Sequence, residues 1–270
     1  MPFINYGLQK LHFQDTGIGQ PLIFLHGLGA SVEQIRSILS DLNGFRIITI
    51  DMPGHGLSKF AHQAPNGKLS FDYFADCALA VMDALEIASC DIGGISMGSG
   101  ISINLALRFP ERVQALQLVR PAWLDQGSPP HLSIVASVGK WIENEGLEKA
   151  EYNLRADTIF QQIEKRSFQE ANSILGLFKR AQAHTCPQVL YQIYEDKPFD
   201  SIESLKAIQN RCEIYGNASD ALHPEFLAKE LAASIPNANY HTLPPRYINK
   251  AAHAKALIGT IAKSLTAQSI

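Results

Sequence analysis

The chain has 270 residues, 46% of them hydrophobic, and 23 Lys+Arg against 26 Asp+Glu give a formal charge of −3. At about 150 residues per domain this length suits one large α/β domain, or a domain carrying an insertion, with a substantial core. A slightly acidic chain without a run of Lys/Arg lacks the electrostatic footprint of a nucleic-acid binder, and no stretch approaches the roughly 18 apolar residues of a membrane-spanning helix.

In chain order, Leu8 to Asp15, followed by Gly17 and Gly19, reads as one arm of an antiparallel hairpin. Strand-like apolar runs then alternate with helical patterns: Leu22 to Leu25, Arg46 to Ile50, Cys90 to Gly93, Val113 to Val119, Glu213 to Tyr215 and Asn239 to Leu243. Such alternation predicts an α/β fold, a mostly parallel sheet covered by helices. Phe71, Phe74, Ala78, Val81, Met82 and Leu85 recur at the spacing of a core-facing helix. From Pro121 to Lys206 the strand signal disappears and patterns such as Ala171, Ile174, Leu175 and Phe178 take over. The prediction is a helical insertion over 121–206, with 1–120 and 207–270 forming the core domain. Its aromatics, Trp123, Trp141, Phe160, Phe178 and Tyr191, suit a lid over an apolar pocket or a small core of their own, and most are assigned to core.

Cys77, Cys90, Cys186 and Cys212 are scattered without a Cys-x-x-Cys pair and are expected as buried free thiols. Without clustered Cys/His at ligand spacing, no metal and no cofactor is predicted. Met1 to Lys10 lacks a basic region followed by an apolar one, so the expectation is a cytoplasmic protein without membrane or nucleic-acid partners.

The strongest chemical signal is Gly94-Ile95-Ser96-Met97-Gly98, which follows a strand and opens a helical pattern through Ile101, Leu105 and Leu107. A strand-turn-helix reversal this tight needs small residues on either side of Ser96, and it leaves the hydroxyl exposed. Unpaired amides at the helix start favour negative charge there. Upstream, His26-Gly27-Leu28-Gly29 follows the strand ending at Leu25. The Leu28 and Met97 amides would form a two-donor oxyanion hole; the alternative is a turn that only links strand to helix.

Together His26 to Gly29, Asp51-Met52-Pro53-Gly54-His55-Gly56, Gly94 to Gly98 and Gly216 to Pro224 resemble the α/β-hydrolase fold family over nearly the whole chain. Met after the serine is similar to the esterase, non-haem haloperoxidase and enol-lactonase branch. The resemblance implies a sheet of about eight strands with helices on both faces and a cap inserted after the sixth.

A serine nucleophile needs a base, and the base an orienting carboxylate, in the order Ser, acid, His in this fold. Asp220, just beyond Glu213 to Tyr215, is the expected acid, with Asp125 in reserve; a helix cap is the alternative role for Asp220. The family generally carries Gly-His after the last strand, but Ile248 stands where the base is expected. His253, at the start of the terminal helix, is therefore the expected base, or else a core histidine. His241 and His223 are the lesser candidates, the second because it would have to reach sideways. His26, Gly27 and Trp123 are expected at the substrate, His26 and His55 alternatively shaping turns, while His12, His62, His131 and His184 are expected at the surface. Arg120 is expected as an ion-pair partner, with a substrate carboxylate as its other possible role.

The predicted function is a cofactor-independent serine hydrolase of a small ester, lactone or thioester with an apolar portion, carbon–carbon bond hydrolysis and perhydrolysis staying open within the same triad. The rival is a catalytically impaired member that binds a ligand or partner, motivated by the missing Gly-His.

Overall fold

The computed structural model describes residues 2–61, 64 and 67–266. Its strands are β1 (Phe3–Tyr6), β2 (Gln9–Thr16), β3 (Gln20–Leu25), β4 (Phe45–Ile50), β5 (Cys90–Ile95), β6 (Val113–Val119), β7 (Arg211–Gly216) and β8 (Ala238–Thr242). They form one open eight-stranded sheet in the order β1-β2-β4-β3-β5-β6-β7-β8. β1–β2 and β2–β4 are antiparallel and every later pair is parallel. The expected hairpin arm is β2, with partners other than the next strand: it turns back on β1 and flanks β4. Gly17 and Gly19, at φ +84° and +128°, carry the chain past β4, where side chains would strike the Phe45 and Gly44 carbonyls.

Side-chain alternation along β3 divides the core between the two faces. Leu22 and Phe24 pack with Ile35 and Leu39 of α1 (Val32–Leu39) and with Leu257 and Ile261 of α9 (Lys250–Thr266). Ile23 and Leu25 face the other way, in the cluster that holds α2 (Phe71–Ala84), α3 (Met97–Arg108) and α8 (Glu225–Ser234). All the predicted apolar positions from Phe71 to Met82 are buried in α2, and Ser70 caps it by accepting the Tyr73 N–H at 3.2 Å.

Between β6 and β7 lie α4 (Ser133–Ala156), α5 (Thr158–Arg166), α6 (Phe168–Leu175) and α7 (Val189–Glu195), with no strand among them. Gly146, at φ 80°, breaks α4, while Asp157 and Ser167 cap α5 and α6. Leu132, Val138, Leu154, Phe160 and Leu190 join the same apolar cluster as α2 and α3, so these helices are fused to the sheet through shared packing. The four thiols are free and buried, and burial pushes Cys90 up to about 12. Among the described residues no helix is long and apolar enough to cross a membrane.

His12 departs from its expected surface position. It is 1% exposed and its Nδ1–H donates to Asp51 at 2.7 Å. His131 is half-buried against the Ala122 carbonyl and His184 is exposed, whereas His62 lies outside the described residues. Asp51, at the end of β4, also accepts the Val32 N–H at 2.8 Å and the Leu57 N–H at 2.9 Å, tying β2, α1 and the turn after β4 together. Asp51→Ala leaves two buried donors, His12 Nδ1–H and Val32 N–H, unpaired at about 1–3 kcal/mol each, so a loss of roughly 2–6 kcal/mol is expected in urea unfolding. A loss below about 1 kcal/mol would show that this junction does not hold the edge together.

Candidate active site

β5 ends at Ile95 and α3 begins at Met97, so the chain reverses at a single residue, Ser96. Ser96 has φ 56° and ψ −111°, a region that costs an L-residue about 1–3 kcal/mol. Only glycine fits at the flanks: a Cβ on Gly94 would enter the Gly98 backbone, and one on Gly98 would enter the Leu25 carbonyl. Positive φ recurs along the same sheet edge, at Arg120 beyond β6 (46°) and Ser219 beyond β7 (59°).

Ser96 lines a cavity of about 270 Å³ with Gly27, Leu28, Arg120, Trp123, His223, Arg246 and Tyr247, and with Leu132, Val135, Ile174 and Leu177 from the inserted segment. Trp123 packs edge-on to Phe71 and its indole N–H has no partner among the described residues. The Gly27–Ala30 loop is held from three sides: Gln34 accepts the Gly27 N–H at 2.9 Å, His55 Nε2 the Gly29 N–H at 3.0 Å, and His26 Nε2 the Met52 N–H at 3.1 Å. The amides of Leu28 and Met97 are left without a protein acceptor among the described residues. Two N–H donors beside a serine hydroxyl suit a developing oxyanion.

His26, expected to touch substrate, is 0% exposed and spends both ring nitrogens on backbone, Nδ1 donating to the Gly27 carbonyl at 2.9 Å. Burial pulls its pKa down, and it acts as a neutral strut beneath the loop. Gly27 and Trp123 do line the cavity.

Asp220 lies in the loop after β7. One carboxylate oxygen, Oδ1, accepts both the His223 backbone N–H at 3.1 Å and its Nδ1–H at 2.9 Å; the other accepts Arg120 Nη1 at 3.2 Å. Asp125 is engaged elsewhere, accepting the Ile202 N–H at 3.2 Å. Burial alone would raise the Asp220 pKa, but His223 and Arg120 together hold it well below the usual carboxylate range. His223, with Nδ1 carrying the proton for Asp220, is left with a basic Nε2 and lines the cavity that Ser96 lines. Ser96 and His223 are not hydrogen-bonded to each other.

His253, the expected base, stands apart. Its Nδ1–H donates to the Pro244 carbonyl at 2.8 Å, and it lines a separate cavity of about 180 Å³ behind Arg120 and Arg246. Burial brings its pKa down to about 4. His241 pairs with Glu213 at 2.6 Å inside the sheet, and Ile248 is 75% exposed. His223, a lesser candidate from sequence because it would have to reach sideways, carries a local signal: an aspartate three residues before a histidine, leading into Pro224 and a helix, folds as a side-chain-to-backbone turn that brings carboxylate and ring together. Glu170, which no motif singles out, is fully buried in α6, accepts the Ala221 N–H and pairs with Arg166 at 2.9 Å, fastening the inserted helices to the Asp220 loop.

The sequence pattern of the alpha/beta hydrolase fold matches residues 20–245. The chain is 37% identical over 117 residues (42% of this chain, 40% of the relative) to the 2-hydroxymuconate semialdehyde hydrolase of Pseudomonas sp. (strain CF600). It is 37% identical over 109 residues (40% and 38%) to a putative non-heme haloperoxidase of Mycobacterium phage D29. These matches span about two fifths of the relatives' lengths, 40% and 38%. Among solved structures, the enol-lactonase from Burkholderia xenovorans LB400 superposes with a TM-score of 0.75 at 20% identity, covering 98% of this chain and 100% of that one. From residue 20 to residue 245, and in the order of its strands, the chain belongs to the alpha/beta hydrolase fold family.

Proposed function

We propose that this chain is a serine hydrolase that cleaves a small carboxylic ester, lactone or thioester without a cofactor, using Ser96 as nucleophile, His223 as general base and Asp220 as its orienting acid. The observation that carries this reading is that His223, hydrogen-bonded to Asp220, and Ser96 line one cavity, beside the free amides of Leu28 and Met97. The base is thereby assigned to His223 in place of His253.

The steps follow from the geometry. Ser96 Oγ bonds to the acyl carbon while its proton passes to His223 Nε2, and the carbonyl electron pair moves onto oxygen, where the Leu28 and Met97 N–H groups meet it. Collapse re-forms the carbonyl and breaks the bond to the alcohol or thiol, which leaves with the proton from His223. Water then attacks the acyl-enzyme, His223 takes its proton, and Ser96 Oγ leaves as the hydroxyl with the carboxylic acid released. Asp220 stays ionised throughout and fixes the ring tautomer. The inserted helices supply the apolar wall opposite Ser96 and act as the cap.

A fluorophosphonate probe should label the wild type once, by intact mass, and leave Ser96→Ala unlabelled. A folded wild type without labelling would favour a ligand-binding protein. His223→Ala should lower kcat/KM for a 4-nitrophenyl ester by about a thousandfold or more, while His253→Ala stays within about threefold. The reverse ranking would return the base to His253.

The pH profile carries a sign. The base works only when neutral, and burial draws His223 below its ordinary value of 6.5, with Arg120 and Arg246 adding to burial and Asp220 opposing. Activity should therefore be complete at neutral pH and fall on acidification through a midpoint below about 6.5 in kcat/KM. A midpoint above about 7 would contradict the electrostatics described here.

A further inference from the structure

The cavity over Ser96 is lined by two guanidinium groups, Arg120 and Arg246, and by no carboxylate. Asp220 is consumed by His223 and by Nη1 of Arg120. Arg120 is 4% exposed, and its Nε–H is buried without a partner among the described residues. Arg246 is half-buried, lies over the Tyr247 ring at 5.0 Å and has no ion pair among the described residues. The smaller cavity behind them adds Lys250 and His253, again without an acid. Holding the two guanidinium groups of Arg120 and Arg246 partly out of water at one cavity is unfavourable unless an anion arrives to share their charge.

The position of the charge bears on the reaction. Ile95 pairs with Val119 across β5 and β6, and the Ser96 N–H donates to the Val119 carbonyl at 2.9 Å. Ser96 and Arg120 are therefore the next residues along neighbouring strands. An anion on Arg120 and Arg246 would sit only a few bonds from an acyl carbon at Ser96, with the apolar wall of Leu132, Val135, Ile174 and Leu177 opposite. The planar guanidinium fork matches a carboxylate, and a cavity of about 270 Å³ suits a short acyl chain.

We propose that the site selects substrates whose acyl portion ends in a carboxylate, held by Arg246 beside the Arg120 guanidinium. This rests on Ser96 being the nucleophile.

The test compares kcat/KM by pH-stat for the monomethyl esters of succinate, glutarate and adipate with methyl butanoate, pentanoate and hexanoate. For the wild type, the best carboxylate ester should exceed its neutral partner by about tenfold or more, and Arg246→Gln should collapse that ratio, with Arg246→Lys restoring part of it. A wild-type ratio near one overturns the proposal without any variant, as does a ratio unchanged in a folded Arg246→Gln. Calorimetry of the wild type with glutaramate and with pentanamide decides the subsite independently of turnover. If no ester is cleaved, the nucleophile reading fails, yet tighter binding of glutaramate by about tenfold that is lost in Arg246→Gln still supports the anion subsite. Equal binding of the two amides overturns it.

Discussion

The structure depends on a single reversal of the chain, at Ser96, where a strand in the middle of the sheet becomes a buried helix with no intervening turn. That reversal holds one residue at positive φ, and it is possible only because Gly94 and Gly98 let three backbones approach closely. Everything around the site is arranged relative to it. Gly98 lets α3 lie against the end of β3, which places the Gly27–Ala30 loop over the start of α3. Gln34, His55 and His26 then fix that loop through hydrogen bonds with backbone, which hold its free amide in place.

Electrostatically the site turns on one carboxylate serving two cations. Asp220 is buried and ionised because it accepts from His223 and from Arg120, and each partner solves a different problem. The histidine bond sets the tautomer that leaves Nε2 free of a proton, while the arginine bond anchors Asp220 at the end of β6 beside Ser96. The consequence is an excess of positive charge at the cavity, since Asp220 is already shared between His223 and Arg120, and Arg246 has no ion pair among the described residues. Glu170 adds a further link, tying the inserted helices to the backbone next to Asp220.

Much of this was legible in the sequence, for reasons specific to each element. The six parallel strands and α2 announced themselves because burial on both faces, or on one helical stripe, demands an unbroken periodicity. Ser96 was visible because the elbow requires glycines at fixed offsets. What stayed hidden depended on side-chain direction in irregular backbone. Expecting the base after the last strand pointed to His253, which instead tucks its Nδ1–H into the Pro244 carbonyl, while His223 reaches the cavity through a turn built by Asp220 itself. His12, on the expected hairpin arm, reads as a surface residue, and the packing of β2 against β4 buries it on Asp51. The pairing of β2 with β4 was likewise unreadable, because alternation gives the face of a strand and not its neighbour.

The central claim is that His223 takes the Ser96 proton, and the most direct measurement is NMR of the histidine ring nitrogens with and without a short alkylboronic acid bound as a tetrahedral adduct on Ser96. In the free protein His223 should be neutral, with its proton on Nδ1, and in the adduct it should become doubly protonated while His253 stays neutral. Protonation of His253 in the adduct, with His223 unchanged, would contradict the assignment.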